Sequence, residues 1–162
     1  MYSETPRWCS LPSRGTYYLR PEVWLPGSWS NFSNWCDILL AGRVALSPRA
    51  RRGVRAPHFG DVKLAARCLL WLAFHYRNRR MGGGEGILRD QAVEDGIWNA
   101  PCGSDQFELK WQGRQHTANW HIKNGGNTRD PKRCLRIYHF WDPTTKQVII
   151  ADMPAHRRTG AT

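Results

Sequence analysis

Phe107-Glu108-Leu109-Lys110-Trp111 decides the fold, because apolar and polar residues alternate there at the two-residue period of a strand. Three further runs follow: His116 to Lys123, Arg133 to Asp142, and Gln147 to Met153. Turn signals separate them at Gln112-Gly113-Arg114, Asn124-Gly125-Gly126-Asn127 and Asp142-Pro143-Thr144-Thr145. The expectation is a four-stranded antiparallel sheet. Its core face would hold Phe107, Leu109, Trp111, Ala118, Trp120, Ile122, Leu135, Ile137 and Trp141. The opposite face would carry Glu108, Lys110, Asn119, His121, Lys123, Arg136 and Tyr138. Acids, bases, a phenol and cations in one place suit a phosphodiester better than a membrane or an apolar ligand. The run Val148-Ile149-Ile150-Ala151 does not alternate, so this last strand should be buried on both faces.

Upstream of the sheet, Asp61 can cap a helix in which Val62, Ala65, Ala66, Leu69, Leu72, Ala73 and Tyr76 recur at three- and four-residue steps. Arg77, Arg79 and Arg80 fall in its last turn, where cations complement the helix dipole. Gly82-Gly83-Gly84 ends it, and a second helix is expected from Glu85 to Asp95. The fold class is therefore α+β, with two helices leading into an antiparallel sheet. Residues 59–162 would form that domain. Residues 1–58 hold six of the ten prolines, no lysine, and eight arginines against three acids, with little periodicity. They read as a basic, poorly ordered extension rich in Pro, Trp and Arg. Arg43, Arg49, Arg51, Arg52 and Arg55 could make it a phosphate-gripping arm. The alternative is a solvated leader, part of it upstream of the true start.

The formal charge is +11 over 162 residues, and Arg outnumbers Lys 19 to 5. Such an excess draws in polyanions, and Arg adds bidentate phosphate recognition, so nucleic acid is the expected partner. The five cysteines include no CxxC pair, which suggests neither a disulfide framework nor a zinc ribbon. A set of Cys102, His116, His121 and Cys134 can be drawn, but its spacing matches no familiar zinc pattern. No metal and no other cofactor is expected. No apolar run is long enough to span a bilayer and no signal-peptide core is evident, so the expected setting is cytoplasmic.

Two helices, an antiparallel sheet, the strand Arg136-Ile137-Tyr138-His139-Phe140, and an apolar strand running into His156-Arg157-Arg158-Thr159 resemble the RelE/HigB-type toxins. The resemblance covers the order of elements from Asp61 onward. It implies a RelE-like fold and a small basic endoribonuclease of a toxin–antitoxin pair. Messenger RNA on the ribosome would be the substrate and an acidic antitoxin the protein partner. It also implies an Arg on the penultimate strand and a His or Tyr in the basic tail, by position Arg136 and His156.

Metal-independent RNA cleavage needs a base for the 2′-hydroxyl proton, an acid for the leaving 5′-oxygen, and cations for the phosphorane. His121 or Glu108 could be the base, His156 the acid, and Lys123 with Arg136 the phosphate clamp. Tyr138 could stack on a base, while Lys110, Arg157 and Arg158 would extend the nucleic-acid contact. The same face also fits a module that binds nucleic acid or protein without catalysis, or a merely solvated sheet surface.

Overall fold

In the computed structural model, residues 25–82, 91–125 and 129–156 are described. After a short 3₁₀ turn come α1 (Phe32–Leu39), β1 (Val44–Leu46) and α2 (Pro48–Gly53). A long helical rod follows: α3 (Val62–Trp71), a π turn (Leu72–Tyr76) and α4 (Arg77–Met81). The remaining elements are β2 (Gln91–Glu94), β3 (Ile97–Pro101), a 3₁₀ turn (Gly103–Asp105), β4 (Phe107–Trp111), β5 (Arg114–Ala118), β6 (Trp120–Asn124), β7 (Arg136–Asp142) and β8 (Gln147–Asp152). The class is α+β. No helix among the described residues is long and apolar enough to cross a membrane.

The sheet is not the expected four-stranded antiparallel one. It has six strands in the order β1-β8-β7-β6-β3-β2, and β4-β5 form a separate two-stranded hairpin. All neighbours in the large sheet run antiparallel except β1, which lies parallel to β8 with Val44, Ala45 and Leu46 opposite Val148, Ile149 and Ile150. The run expected as one strand from His116 to Lys123 breaks at Asn119. Ala118 is buried in the hairpin layer, while Trp120 packs on the other side of the large sheet. The Cys102 N–H donates to the Asn119 carbonyl at 2.8 Å and pins the crossing point.

Two apolar layers sandwich the sheet. On one face Ile97, Ile122, Leu135, Ile137, Val148 and Ile150 meet the helices through Phe32, Cys36, Ala65, Leu69, Leu72 and Tyr76. On the other, Ile149, Ala151, Tyr138 and Phe140 meet the hairpin through Phe107, Leu109, Trp111 and Ala118. Phe107, Leu109 and Trp111 therefore cover the face expected to be polar rather than join Ile122 and Ile137. The hairpin turn at Gln112 (φ 48°) and Gly113 (φ 78°) has both central residues left-handed, the two-residue geometry whose twist matches paired strands. The last strand is buried on both faces as its unalternating sequence requires, with Val148, Ile149, Ile150 and Ala151 all inaccessible.

The helix expected from Asp61 is present. Asp61 Oδ1 accepts the Leu64 N–H at 3.0 Å, capping the first turn. The second expected helix is not: Gln91–Glu94 is a strand paired with β3, and residues 85–90 lie outside the described residues. Asp95-Gly96 turns β2 into β3, with Gly96 at φ 75°.

Residues 25–58 belong to the same core, which corrects the boundary expected at 58/59 for this segment; residues 1–24 lie outside the described residues. Phe32, Trp35, Cys36, Leu40, Val44, Leu46, Ala50 and Val54 are buried in the helix-side layer. Ser47 Oγ accepts the Ala50 N–H at 3.1 Å and donates to the Ala151 carbonyl at 2.8 Å, tying the start of α2 to β8. Three of the five arginines read as an arm, Arg43, Arg49 and Arg51, are held by the fold as well. Arg51 makes a two-pronged pair with Asp37 at 2.8 and 2.9 Å, and Arg49 pairs with Asp152 at 2.8 Å. The periodicity was thin because these elements are short and each buries only a few side chains.

Ile150→Ala should cost about 2–5 kcal/mol in chemical denaturation, since it empties space between fully buried layers. Gly53→Ala should also destabilise, by about 1–3 kcal/mol, because a Cβ there would collide with the Met153 carbonyl. A chain starting at residue 59 should lose its cooperative thermal transition, since β8 would then be an uncovered edge; retention of that transition would show that β1 and α1 are dispensable.

Candidate nucleic-acid interface

Antiparallel pairing puts directly opposed residues on one face of a sheet. Trp98 on β3 lies opposite Lys123 on β6, and Lys123 opposite Arg136 on β7. These three side chains form a row across the hairpin-side face at the end of the sheet where β7 begins. Trp98 is 40% exposed, unusual for so large an apolar side chain. Gly125 leaves the room its ring occupies, since a Cβ there would lie 3.2 Å from the ring edge. Arg136 is half-buried and aimed by its neighbours: its Nη1 donates to the Leu135 carbonyl at 2.8 Å and to Asn124 Oδ1 at 3.3 Å. Asn124 is itself fixed, accepting the Leu135 N–H at 3.0 Å and donating to the Arg133 carbonyl at 2.6 Å.

The next row inward is Ala100, His121, Tyr138 and Asp152. Here the chain's ends of strands converge. The Arg136 N–H donates to the Pro154 carbonyl at 2.8 Å, laying the segment after β8 alongside β7. His156 in that segment reaches Asp105 of the 3₁₀ turn after β3, Nε2 to Oδ2, at 3.8 Å. Both residues lie close enough to act electrostatically on His121. His121 is only 4% exposed, with its ring 5.8 Å from that of Tyr138. Among the described residues neither of its ring nitrogens finds a hydrogen-bond partner. Burial, then the charges of Lys123 and Arg136, push its pKa down to about 4, with Asp105 opposing and His156 adding to the shift. His121 is thus neutral at pH 7 and enclosed.

Of the residues expected to be catalytic, Arg136, His156 and His121 come together. Glu108 does not: it lies on the exposed side of the hairpin, accepting from Gln115 at 3.1 Å, with Lys110 exposed on the same strand. Tyr138 is fully buried under Phe107, their rings 5.7 Å apart and edge to face, so it is a core residue rather than a stacking platform. Arg157 and Arg158 lie outside the described residues. His116 stacks on Phe140 at 4.6 Å, and Cys102 and Cys134 are buried. No three His, Cys, Asp or Glu side chains among the described residues are placed to hold a metal ion.

Trp98 and Asp105 are the members that sequence reasoning missed. Asp95-Gly96 between Val93 and Ile97 is a hairpin signal that would have placed Trp98 on a strand. Nothing local marks Asp105, which is brought to His156 by the tertiary fold alone. Compared with known proteins, the chain matches no family model, no curated protein and no solved structure.

A second enclosed histidine, His139, lies on the helix-side face. Its ring meets Tyr76 edge to face at 5.0 Å, and its Nε2 lies 2.8 Å from Asn99 Oδ1. Burial above all pushes its pKa down to about 3. Both histidines are held neutral in the folded chain, whereas the unfolded chain takes up protons near the ordinary value of 6.5. Their neutral burial therefore supports folding fully above about pH 6.5, and that support is lost as pH falls toward 4 and then 3. The melting temperature should be flat above neutrality and drop on acidification. His121→Leu should melt close to wild type at pH 7, because an apolar group replaces an unpartnered polar one, and should fall less steeply in acid. A large loss at pH 7 would show that the imidazole nitrogens do have partners in solution.

Proposed function

We propose that this protein is an RNA-directed binding module, and that the Trp98–Lys123–Arg136 row is where it meets the strand. The observation that carries this reading is the exposed indole flanked across two strands by two cations. A stacked base needs a flat apolar surface, and its flanking phosphates need positive charge a few ångströms away. An Arg whose orientation is set by backbone carbonyls and Asn124 loses little freedom on gripping a phosphate. The overall charge of +11 supports the same partner through long-range attraction.

Metal-independent cleavage, as in a ribosome-directed toxin with an acidic antitoxin, is the second reading. The Asp105–His156 pair favours it: an accessible imidazole 3.8 Å from a carboxylate, on the segment that the Arg136 N–H holds through Pro154, would serve to protonate a leaving 5′-oxygen. The enclosure of His121 favours binding alone, because a base must reach the 2′-hydroxyl and this one has both nitrogens covered.

Affinity for a single-stranded oligoribonucleotide should fall log-linearly with salt. Trp98→Ala should weaken it by the equivalent of about 1–3 kcal/mol, the usual worth of one base stack. Lys123→Glu and Arg136→Glu should weaken it more than Lys63→Glu on the helix surface. Salt-insensitive affinity, or equal effects at Lys123 and Lys63, would remove this face from consideration. Incubation with RNA in excess EDTA, with and without ribosomes, separates the two readings: cleavage abolished by His156→Gln and by Arg136→Ala supports the enzyme. Intact RNA with binding retained supports the module.

A further inference from the structure

A different set of cations gathers at the opposite end of the sheet, where β1 and β8 begin. Arg43 immediately precedes β1, and its carbonyl accepts the Val148 N–H at 2.9 Å. Its guanidinium lies over the Phe74 ring at 4.7 Å and donates to the Ala73 carbonyl at 3.4 Å. Arg77, one helical turn beyond Ala73, donates through Nε to the Lys146 carbonyl at 2.9 Å. Two arginines from two elements thus meet where the helical rod crosses the β7–β8 turn, one of them held by a carbonyl of that turn.

Elsewhere the fold supplies arginines with carboxylates: Arg49 has Asp152, Arg51 has Asp37 and Arg67 has Glu94. Arg43 and Arg77 are anchored by backbone carbonyls and an aromatic ring, and among the described residues neither they nor Lys146 meets a carboxylate. The acid of that turn, Asp142, is nearly inaccessible and spent internally, accepting the Thr144 N–H at 3.0 Å and the Thr145 hydroxyl at 2.8 Å. The pKa of Arg77 is lowered, first by burial and then by the charge of Arg43, and no acid offsets either. Cations in the last turn of a helix ordinarily complement its dipole. In this rod that describes Arg79 and Arg80, and at most the nearby Arg77. It does not explain why Arg43, from another element, is brought up beside it at an electrostatic cost.

We propose that Arg43 and Arg77 form a phosphate-binding site distinct from the Trp98–Lys123–Arg136 face. Two guanidinium groups held from behind suit a tetrahedral oxyanion, and a dianionic phosphomonoester best of all. The surroundings point to the phosphate of a nucleic-acid strand. Arg80, three residues along the helix, lines an open cleft of about 440 Å³ with His116, Asn119, Trp141 and Pro143. That cleft offers a base a flat ring and amide groups. Phe74 and Arg77 belong to the rod on the helix side of the sheet, so this site lies at the other end and on the other face from Lys123 and Arg136.

The test uses the full chain and three probes: an oligoribonucleotide with a 5′-phosphate, the same strand with a 5′-hydroxyl, and inorganic phosphate. The 5′-phosphorylated strand should bind about tenfold or more tightly than the 5′-hydroxyl strand, as expected for added charge-assisted hydrogen bonds. Arg43→Gln and Arg77→Gln should each abolish that difference, and Arg77→Lys should restore part of it. Without ligand, both Gln variants should melt close to wild type, because relief of like-charge repulsion offsets the lost anchoring contacts. Lys123→Glu and Arg136→Glu should weaken both strands equally and keep their ratio, which separates this site from the face at the other end. Equal loss for both strands in the Gln variants would support an internal phosphodiester as the ligand. A rise in melting temperature with inorganic phosphate alone, lost in those variants, would support free phosphate. Affinities unchanged in both Gln variants for every probe, or affinity and melting temperature falling together, would overturn the proposal.

Discussion

The burial of β8 on both faces is the constraint on which the rest of this structure depends. Val148 and Ile150 point into the helix-side layer, and Ile149 and Ala151 into the hairpin-side layer. A strand with no polar side needs a cover above, a cover below and a neighbour on each edge. The helical rod and α1 supply the first cover, and the β4-β5 hairpin the second. β7 and β1 supply the neighbours. β1 meets this need on one edge, and its pairing draws residues 25–58 into the core.

Covering the middle of the sheet leaves function to its ends. Between the two rows nearest β7's start, the environment changes within one strand pair: Lys123 and Arg136 are half-buried, whereas His121 and Tyr138 are enclosed. The hairpin thus decides which polar residues of a strand remain reachable. Burial beside two cations leaves the neutral ring as the stable form of His121.

The arginines divide by what holds them. Those paired with Asp152 and Glu94 stitch helices to strands, the one paired with Asp37 joins α2 to α1, and their charge is answered within the chain. Arg136, Arg43 and Arg77 are instead oriented by carbonyl groups, which fix a guanidinium without cancelling its charge. Orientation without neutralisation is what an anion site requires, and it arises at both ends of the sheet.

Sequence by itself determined the elements whose periodicity is long or whose turns are strong: the helix capped by Asp61, the hairpin at Gln112-Gly113, and β7 and β8. It also placed His121, Lys123 and Arg136 on one face, since strand alternation is a local property of the backbone. It did not reveal β1, α1 or α2, each too short for a pattern to show. It misread Gln91–Glu94 as helix, because four residues carry too little period to outweigh their neighbours. Only the tertiary structure decided that the hairpin folds over the face expected to be open, burying Tyr138 and leaving Glu108 outside, and that His121 is enclosed. It alone brought Asp105 to His156, Trp98 to Lys123 and Arg43 to Arg77. These pairs are joined by strand register and layer packing across distant segments, and local residue order encodes neither.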